Sequence, residues 1–69
     1  MKTIESTAER SLVEFTKAEL QILNAALNEV CNGIEVFEFE TRMGTDIENV
    51  SNFLKEIGTL LDMMDFKSN

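Results

Sequence analysis

The chain has 69 residues, of which thirteen are acidic, six are basic and none is histidine, so its net charge is −7. This length allows one domain with a marginal core, and a single cysteine excludes a disulfide framework. An acidic surface repels nucleic acid and anionic membranes, whereas it favours basic proteins as partners.

We expect a single helical domain over residues 1–69, located in the cytoplasm. No stretch is apolar enough to span a membrane, and the N-terminal sequence MKTIESTAER lacks the apolar part of a secretion signal. Cys31 fits a reducing compartment, and its position on an apolar helix side favours a small buried hydrophobe over a redox group.

A short first helix is predicted over residues 6–14. Ser6 and Glu9 have the spacing of a capping box, in which each side chain satisfies a backbone amide of the other residue. Ala8, Leu12 and Phe15 would form one apolar side of this helix.

The clearest helix is predicted over residues 17–31. Thr16 and Glu19 form a second capping box, and Gly33 is expected to end the helix in the left-handed conformation that glycine tolerates. Apolar residues recur at helical spacing between these ends. They are Leu20, Leu23, Leu27 and Val30, with Ile22, Ala26 and Cys31 widening the stripe.

The next segment, IEVFEFETRMG, alternates Phe37 and Phe39 with Glu38 and Glu40, as an edge strand would. No second strand is evident to pair with it, however, and a lone strand leaves its backbone groups unsatisfied. A helical interpretation is therefore favoured.

A long last helix is predicted over residues 46–65, starting from a capping box of Thr45 and Glu48. Gly58 costs about 1 kcal/mol relative to alanine, but one helix is favoured over two short ones. A heptad-like stripe follows its length: Ile47, Val50, Leu54, Ile57, Leu61 and Met64, broadened by Phe53 and Leu60. The expected fold is all-α, a small bundle of three to four helices.

Residues 36–55 resemble the helix-turn-helix unit of bacterial transcription regulators, which implies a helix-turn-helix-like pair over residues 36–65. Gly44 matches the turn glycine, and four residues match the apolar positions that pack across the turn: Phe39, Met43, Val50 and Phe53. Asn49 and Asn52 of the second helix could read adenine. Asp46 and Glu48, however, would face phosphates, so the charge argues against DNA as the target.

The parts needed for catalysis are missing from the sequence. The chain has no histidine or tyrosine, and no serine or cysteine has an evident base. Glu38 and Glu40 are best interpreted as a solvated face, because a small bundle offers no deep pocket to raise a carboxyl pKa. We expect a protein that is not an enzyme and that holds no cofactor and no metal.

The run ELQILNAALNEVCNGIEVFEFETRMG, residues 19–44, resembles a stretch of small bacterial immunity proteins encoded beside contact-dependent inhibition and polymorphic toxins. This resemblance implies a protein that neutralises a nuclease toxin, an RNase by expectation, by covering its basic substrate cleft. Together with the charge, it predicts a partner-binding surface without direct nucleic-acid contact. Its residues are Glu35, Phe37, Glu38, Glu40, Asp46 and Glu48.

Two other functions stay open. The helix-turn-helix layout favours a DNA-binding regulator. The heptad-like stripe and the apolar C-terminal residues Met63, Met64 and Phe66 suit a self-associating antitoxin or scaffold, with a homodimer through residues 46–66.

Overall fold

The computed structural model describes residues 1–67, which start with a β-hairpin and continue as helices. The hairpin consists of β1 (Lys2–Ser6) and β2 (Ser11–Glu14). Then follow α1 (Lys17–Asn28), a π-helical turn (Glu29–Gly33), α2 (Phe39–Met43) and α3 (Ile47–Lys67). The expected all-α bundle is therefore wrong, because a two-stranded antiparallel sheet precedes the helices. Within residues 1–67, none of the helices combines the length and apolar character needed to cross a membrane.

The hairpin occupies the segment for which a helix over residues 6–14 was expected. The Thr7 hydroxyl accepts hydrogen bonds from the amides of Glu9 and Arg10 at 3.4 and 3.1 Å, and the Thr7 amide donates to the Arg10 carbonyl at 2.7 Å. The Ser6 and Ser11 hydroxyls bond to each other across the strands at 2.8 Å. Serine and threonine favour turns for the same reason that they favour helix starts, since their hydroxyls satisfy nearby amides. That shared preference made the capping-box prediction wrong here.

Helix α1 starts as predicted. The Glu19 amide donates to the Thr16 hydroxyl at 3.2 Å, and the Thr16 amide donates to the Glu19 carboxylate at 2.9 Å. The same carboxylate pairs with the Met1 ammonium group. That amino-terminal hydrogen bond, followed by the one from the Thr16 backbone, lowers the pKa of Glu19 below its ordinary value. One carboxylate thus caps α1 and fixes the start of β1 beside it.

The core lies between α1 and α3, which run antiparallel. Leu20, Val50 and Ile57 are its buried residues, and the Lys17 ammonium group at the start of α1 pairs with the Asp65 carboxylate near the end of α3. Half-buried side chains of the two predicted apolar stripes surround this core: Leu23, Leu27, Leu54, Leu61 and Met64. Ile22, expected to widen the α1 stripe, is instead 68% exposed.

Helix α3 is a single helix that continues through Gly58, as predicted. Its first residue is Ile47, and the Asp46 carboxylate caps it by accepting the Asn49 amide at 2.8 Å. The predicted capping box of Thr45 and Glu48 is therefore wrong by one residue, because the carboxylate of Asp46 takes the capping position.

Two glycines differ from the prediction in conformation. The expected left-handed end at Gly33 is wrong, because Gly33 lies within the π-helical turn that extends α1. Gly44 does adopt the left-handed conformation, with φ 75°, and ends α2 by donating to the Glu40 carbonyl at 2.9 Å. The chain therefore turns at Gly44, where the helix-turn-helix resemblance placed its glycine.

The helix-turn-helix-like pair expected over residues 36–65 is wrong in its first half. Helix α2 is a single turn of five residues, whereas α3 packs against α1 and the π-helical turn. Residues 36–38 precede the helix, and Glu38 at its start has a left-handed backbone. Phe53, expected to pack across the turn, is 52% exposed.

Gly58, within α3, and Gly44, before it, lead to opposite stability predictions when each is replaced by alanine. A Cβ at Gly58 would stand 3.9 Å from Asn24 Oδ1, an ordinary contact, so Gly58→Ala should raise the free energy of unfolding by about 1 kcal/mol. In Gly44→Ala the added Cβ has no neighbouring atom within 4 Å, but alanine is forced to φ 75°. This substitution should therefore lower the free energy of unfolding by about 1 kcal/mol. Urea denaturation measures both, and destabilisation by Gly58→Ala would contradict an unbroken α3.

Candidate protein-binding site

The acidic segment, defined as residues 34–48, connects the π-helical turn to α3 and carries all six residues predicted to bind a partner. It contains five carboxylates and one guanidinium group, that of Arg42, so it holds a net charge of −4 out of the chain's −7. The structure places all six predicted residues on the surface: Glu35, Phe37, Glu38, Glu40, Asp46 and Glu48 are exposed. Half-buried residues lie between them: Val36, Phe39, Met43 and Thr45.

None of the five carboxylates of the acidic segment forms an ion pair within residues 1–67. The ion pairs in that part of the chain are Met1 with Glu19 and Lys17 with Asp65, both on other elements. Unpaired carboxylates close together along the chain create a negative potential that extends about one Debye length, roughly 8 Å at physiological ionic strength. The segment therefore presents most of its charge to solvent, and its Asp46 carboxylate also accepts a hydrogen bond from the Asn49 amide.

Three apolar side chains of the acidic segment are exposed, and one of them is Ile47, which is 50% exposed. Phe37 is 73% exposed and Ile34 is 58% exposed. Phe37 was predicted as an apolar anchor, whereas Ile34 was missed. Ile34 lies four residues after Val30 and so continues the spacing of the α1 stripe, and its position directly after Gly33 is the one signal in the sequence that sets it apart. An exposed aromatic residue with charged neighbours is typical of protein interfaces, where aromatic side chains supply much of the binding energy.

The backbone of the acidic segment is held in an uncommon conformation at Glu38. Its φ and ψ are both 53°, the left-handed region that costs a residue with a Cβ about 1 kcal/mol or more. The Glu38 carbonyl accepts the Arg42 amide at 3.1 Å, which starts α2 immediately afterwards. The sharp change of direction at Glu38 separates Phe37 from the helix and leaves it projecting into solvent.

Hydrogen bonds fix the end of the acidic segment that enters α3. The Asp46 carboxylate caps the helix through the Asn49 amide, and the Asn49 side-chain amide donates to the Thr45 hydroxyl at 2.8 Å. Carboxylates at positions 46 and 48 are favoured there by the positive end of the helix dipole. Asn49, which the helix-turn-helix resemblance would use to read adenine, thus holds the turn.

The described residues also contain a free thiol and a cavity outside the acidic segment. Within residues 1–67, no three histidine, cysteine, aspartate or glutamate side chains are grouped to hold a metal ion. Cys31 is a half-buried free thiol. A cavity of about 310 Å³ lies at the end of the hairpin, away from the acidic segment, and its lining residues are Glu5, Thr7, Arg10, Ser11 and Leu12.

The strain at Glu38 leads to a stability prediction. Asparagine tolerates the left-handed region better than glutamate, so Glu38→Asn should leave the free energy of unfolding unchanged or raise it by up to about 1 kcal/mol. Glu40→Asn is the control, because it makes the same change of charge inside the first turn of α2. Asparagine forms helices less readily than glutamate, so this substitution should slightly lower the free energy of unfolding. Urea denaturation of both variants tests this order, and a larger loss for Glu38→Asn would contradict it.

Comparison with known proteins adds no relative to this description. No protein-family model matches the chain, no curated protein is significantly similar to it in sequence, and no solved structure matches its fold.

Proposed function

We propose that the chain is a cytoplasmic immunity protein that binds and neutralises a nuclease toxin, an RNase by expectation, through the acidic segment. The observation that carries this proposal is that five exposed carboxylates without an ion pair lie in the same segment as the exposed Phe37. Nuclease domains need basic surfaces to hold RNA or DNA, and an acidic protein surface complements them. The chain acts by occupying a site, without catalysis of its own.

Charge and anchor have separate roles in this binding. The net charge of −4 on the acidic segment steers a basic partner and speeds association, an effect that weakens as salt is added. Phe37 then fills an apolar recess beside the basic cleft, and its burial slows dissociation. The Phe37 side chain is already exposed before the partner arrives, and the left-handed backbone at Glu38 separates it from α2.

The acidic segment is less suited to DNA, even though a turn glycine and a following helix are present. Only Arg42 within residues 34–48 could neutralise a phosphate, and most of the affinity of a DNA-binding protein comes from such contacts. Retention of the purified protein on duplex DNA at low salt would contradict the proposal and favour the regulator alternative.

Co-expression with the product of the adjacent gene is the direct functional test. We expect a stable complex and protection of the cells from that product. Absence of both a complex and protection would contradict the proposal for this gene pair. A complex whose affinity is independent of salt would contradict the electrostatic part of it.

The anchor is tested by Phe37→Ala. Truncation of an interface anchor costs about 2 kcal/mol or more, so we expect affinity for the adjacent gene's product to fall at least about 30-fold, mostly through faster dissociation. Phe66→Ala is the matched control, because Phe66 is 83% exposed and lies outside the acidic segment. Calorimetry and surface plasmon resonance measure both variants. Equal effects of the two substitutions would show that Phe37 is not an anchor.

The charges are tested by two triple variants that change the net charge equally. Replacing Glu35, Glu38 and Glu40 by glutamine should slow association about tenfold at low salt and reduce its salt dependence. Replacing the exposed hairpin residues Glu5, Glu9 and Glu14 by glutamine should have a much smaller effect. If both triple variants slow association equally, net charge alone steers the partner and the acidic segment is not the contact site.

A further inference from the structure

We infer that the chain is a homodimer in which an apolar face of α1 and α3, separate from the acidic segment, packs against the same face of a second copy. This apolar face is defined by Leu23, Ala26, Phe53, Leu60 and Met63. It does not depend on the proposed function, because it uses other residues and another partner.

Helix geometry places Leu23 and Ala26 on one side of α1. Buried Leu20 points at α3, and successive residues turn by about 100°, so Leu23 lies about 60° to one side of it and Asn24 about 40° to the other. Ala26 falls on the side of Leu23, and Lys17 falls on the side of Asn24. The flank of α1 with Leu23 and Ala26 is therefore mostly apolar, although it also carries Glu19 with its Met1 partner, and the flank with Lys17 and Asn24 is polar.

Helix α3 is divided in the same way around Ile57. Phe53, Leu60 and Met63 lie on one side of this buried residue together with exposed Glu56. Gly58 and Asp65 lie on the other side together with half-buried Leu54 and Leu61.

Two contacts show which sides of the helices share a surface. Lys17 pairs with Asp65, and Asn24 Oδ1 lies 3.9 Å from the position of a Cβ on Gly58. The polar flank of α1 therefore meets the flank of α3 that carries Gly58 and Asp65. In an antiparallel pair of helices the two remaining flanks then share the opposite surface, which carries the apolar face with Glu19 and Glu56 beside it.

Much of this apolar face is open to solvent. Phe53 and Met63 are each 52% exposed and Leu60 is 43% exposed. The chain exposes 5688 Å², whereas a folded monomer of 7.8 kDa typically exposes about 4,400 Å². Its radius of gyration is 13.8 Å, compared with about 11 Å for a compact domain of this length. This surplus belongs to the whole chain, including the exposed hairpin, and it is larger than the roughly 800 Å² that each copy buries in a standard stable dimer.

A second copy is the occupant that the physical constraints favour. The buried apolar core of the described chain is Leu20, Val50 and Ile57, and domains below about 80 residues usually need an additional source of stability. A pair of packed helices is stable when its apolar face is buried against another layer of structure. Two α1–α3 pairs packed through this face would form a four-helix arrangement. The chain needs this cover as soon as it folds, and another copy is present whenever the chain is made. Homodimer interfaces are also the more apolar class, which matches this face.

Sedimentation equilibrium of the wild-type protein over a range of concentrations tests the inference. We expect the mass of a dimer at high concentration and a melting temperature that rises with concentration. Leu60→Glu should weaken dimerisation at least about 100-fold, because each copy would bury an unpaired carboxylate. Phe66→Glu is the matched control. It adds the same charge to an 83% exposed residue about 180° from Ile57 on the same helix, so it should remain dimeric.

The outcomes are decisive without requiring each variant to fold. A wild-type mass that stays monomeric at every concentration overturns the inference and leaves the apolar face to a different protein. Met63→Glu is a second variant of the same face, and a dimer that survives both Leu60→Glu and Met63→Glu also overturns it. If Leu60→Glu unfolds at a concentration where Phe66→Glu is folded and dimeric, folding is coupled to dimerisation through this face, which supports the inference.

Discussion

The packing of α1 against α3 is the interaction on which the rest of the chain depends. Leu20, Val50 and Ile57 are buried where these two helices meet, and the pairing of Lys17 with Asp65 shows that the helices run antiparallel. The hairpin is attached at one end of this pair through Met1 and Glu19. The acidic segment spans the connection at the other end, between the π-helical turn and α3. Loss of the helix pair would therefore release both.

Surface charge and surface apolarity are separated along this small framework. Residues 34–48 hold more than half of the net charge, whereas the apolar face lies on the flanks of α1 and α3. Electrostatic attraction acts at long range and improves encounter with a basic partner, while apolar burial acts only on contact and stabilises a permanent interface. One surface can thus suit a target protein while the other suits a second copy, without competition between them.

Local chemistry determined which parts of the structure were predictable from the sequence. The capping box of Thr16 and Glu19, the unbroken α3 and the turn at Gly44 each depend on residues a few positions apart, and all three were predicted correctly. The hairpin was missed because its strands are short and mostly polar, and because Thr7 closes its turn with bonds that resemble a helix cap. The one-turn α2 was missed because nothing in the residue type of Glu38 indicates a left-handed backbone.

The exposure of the predicted binding residues was foreseeable, since carboxylates avoid burial without partners. The exposure of Ile34 and Phe53 could not be foreseen, because an apolar residue at helical spacing can belong either to the core or to an interface.

Amide hydrogen exchange of the chain, free and bound to the product of the adjacent gene, measures the partner-binding surface most directly. Binding through the acidic segment predicts slower exchange within residues 34–48. Unchanged exchange there, with slower exchange on the hairpin or on the outer side of α3, would contradict it.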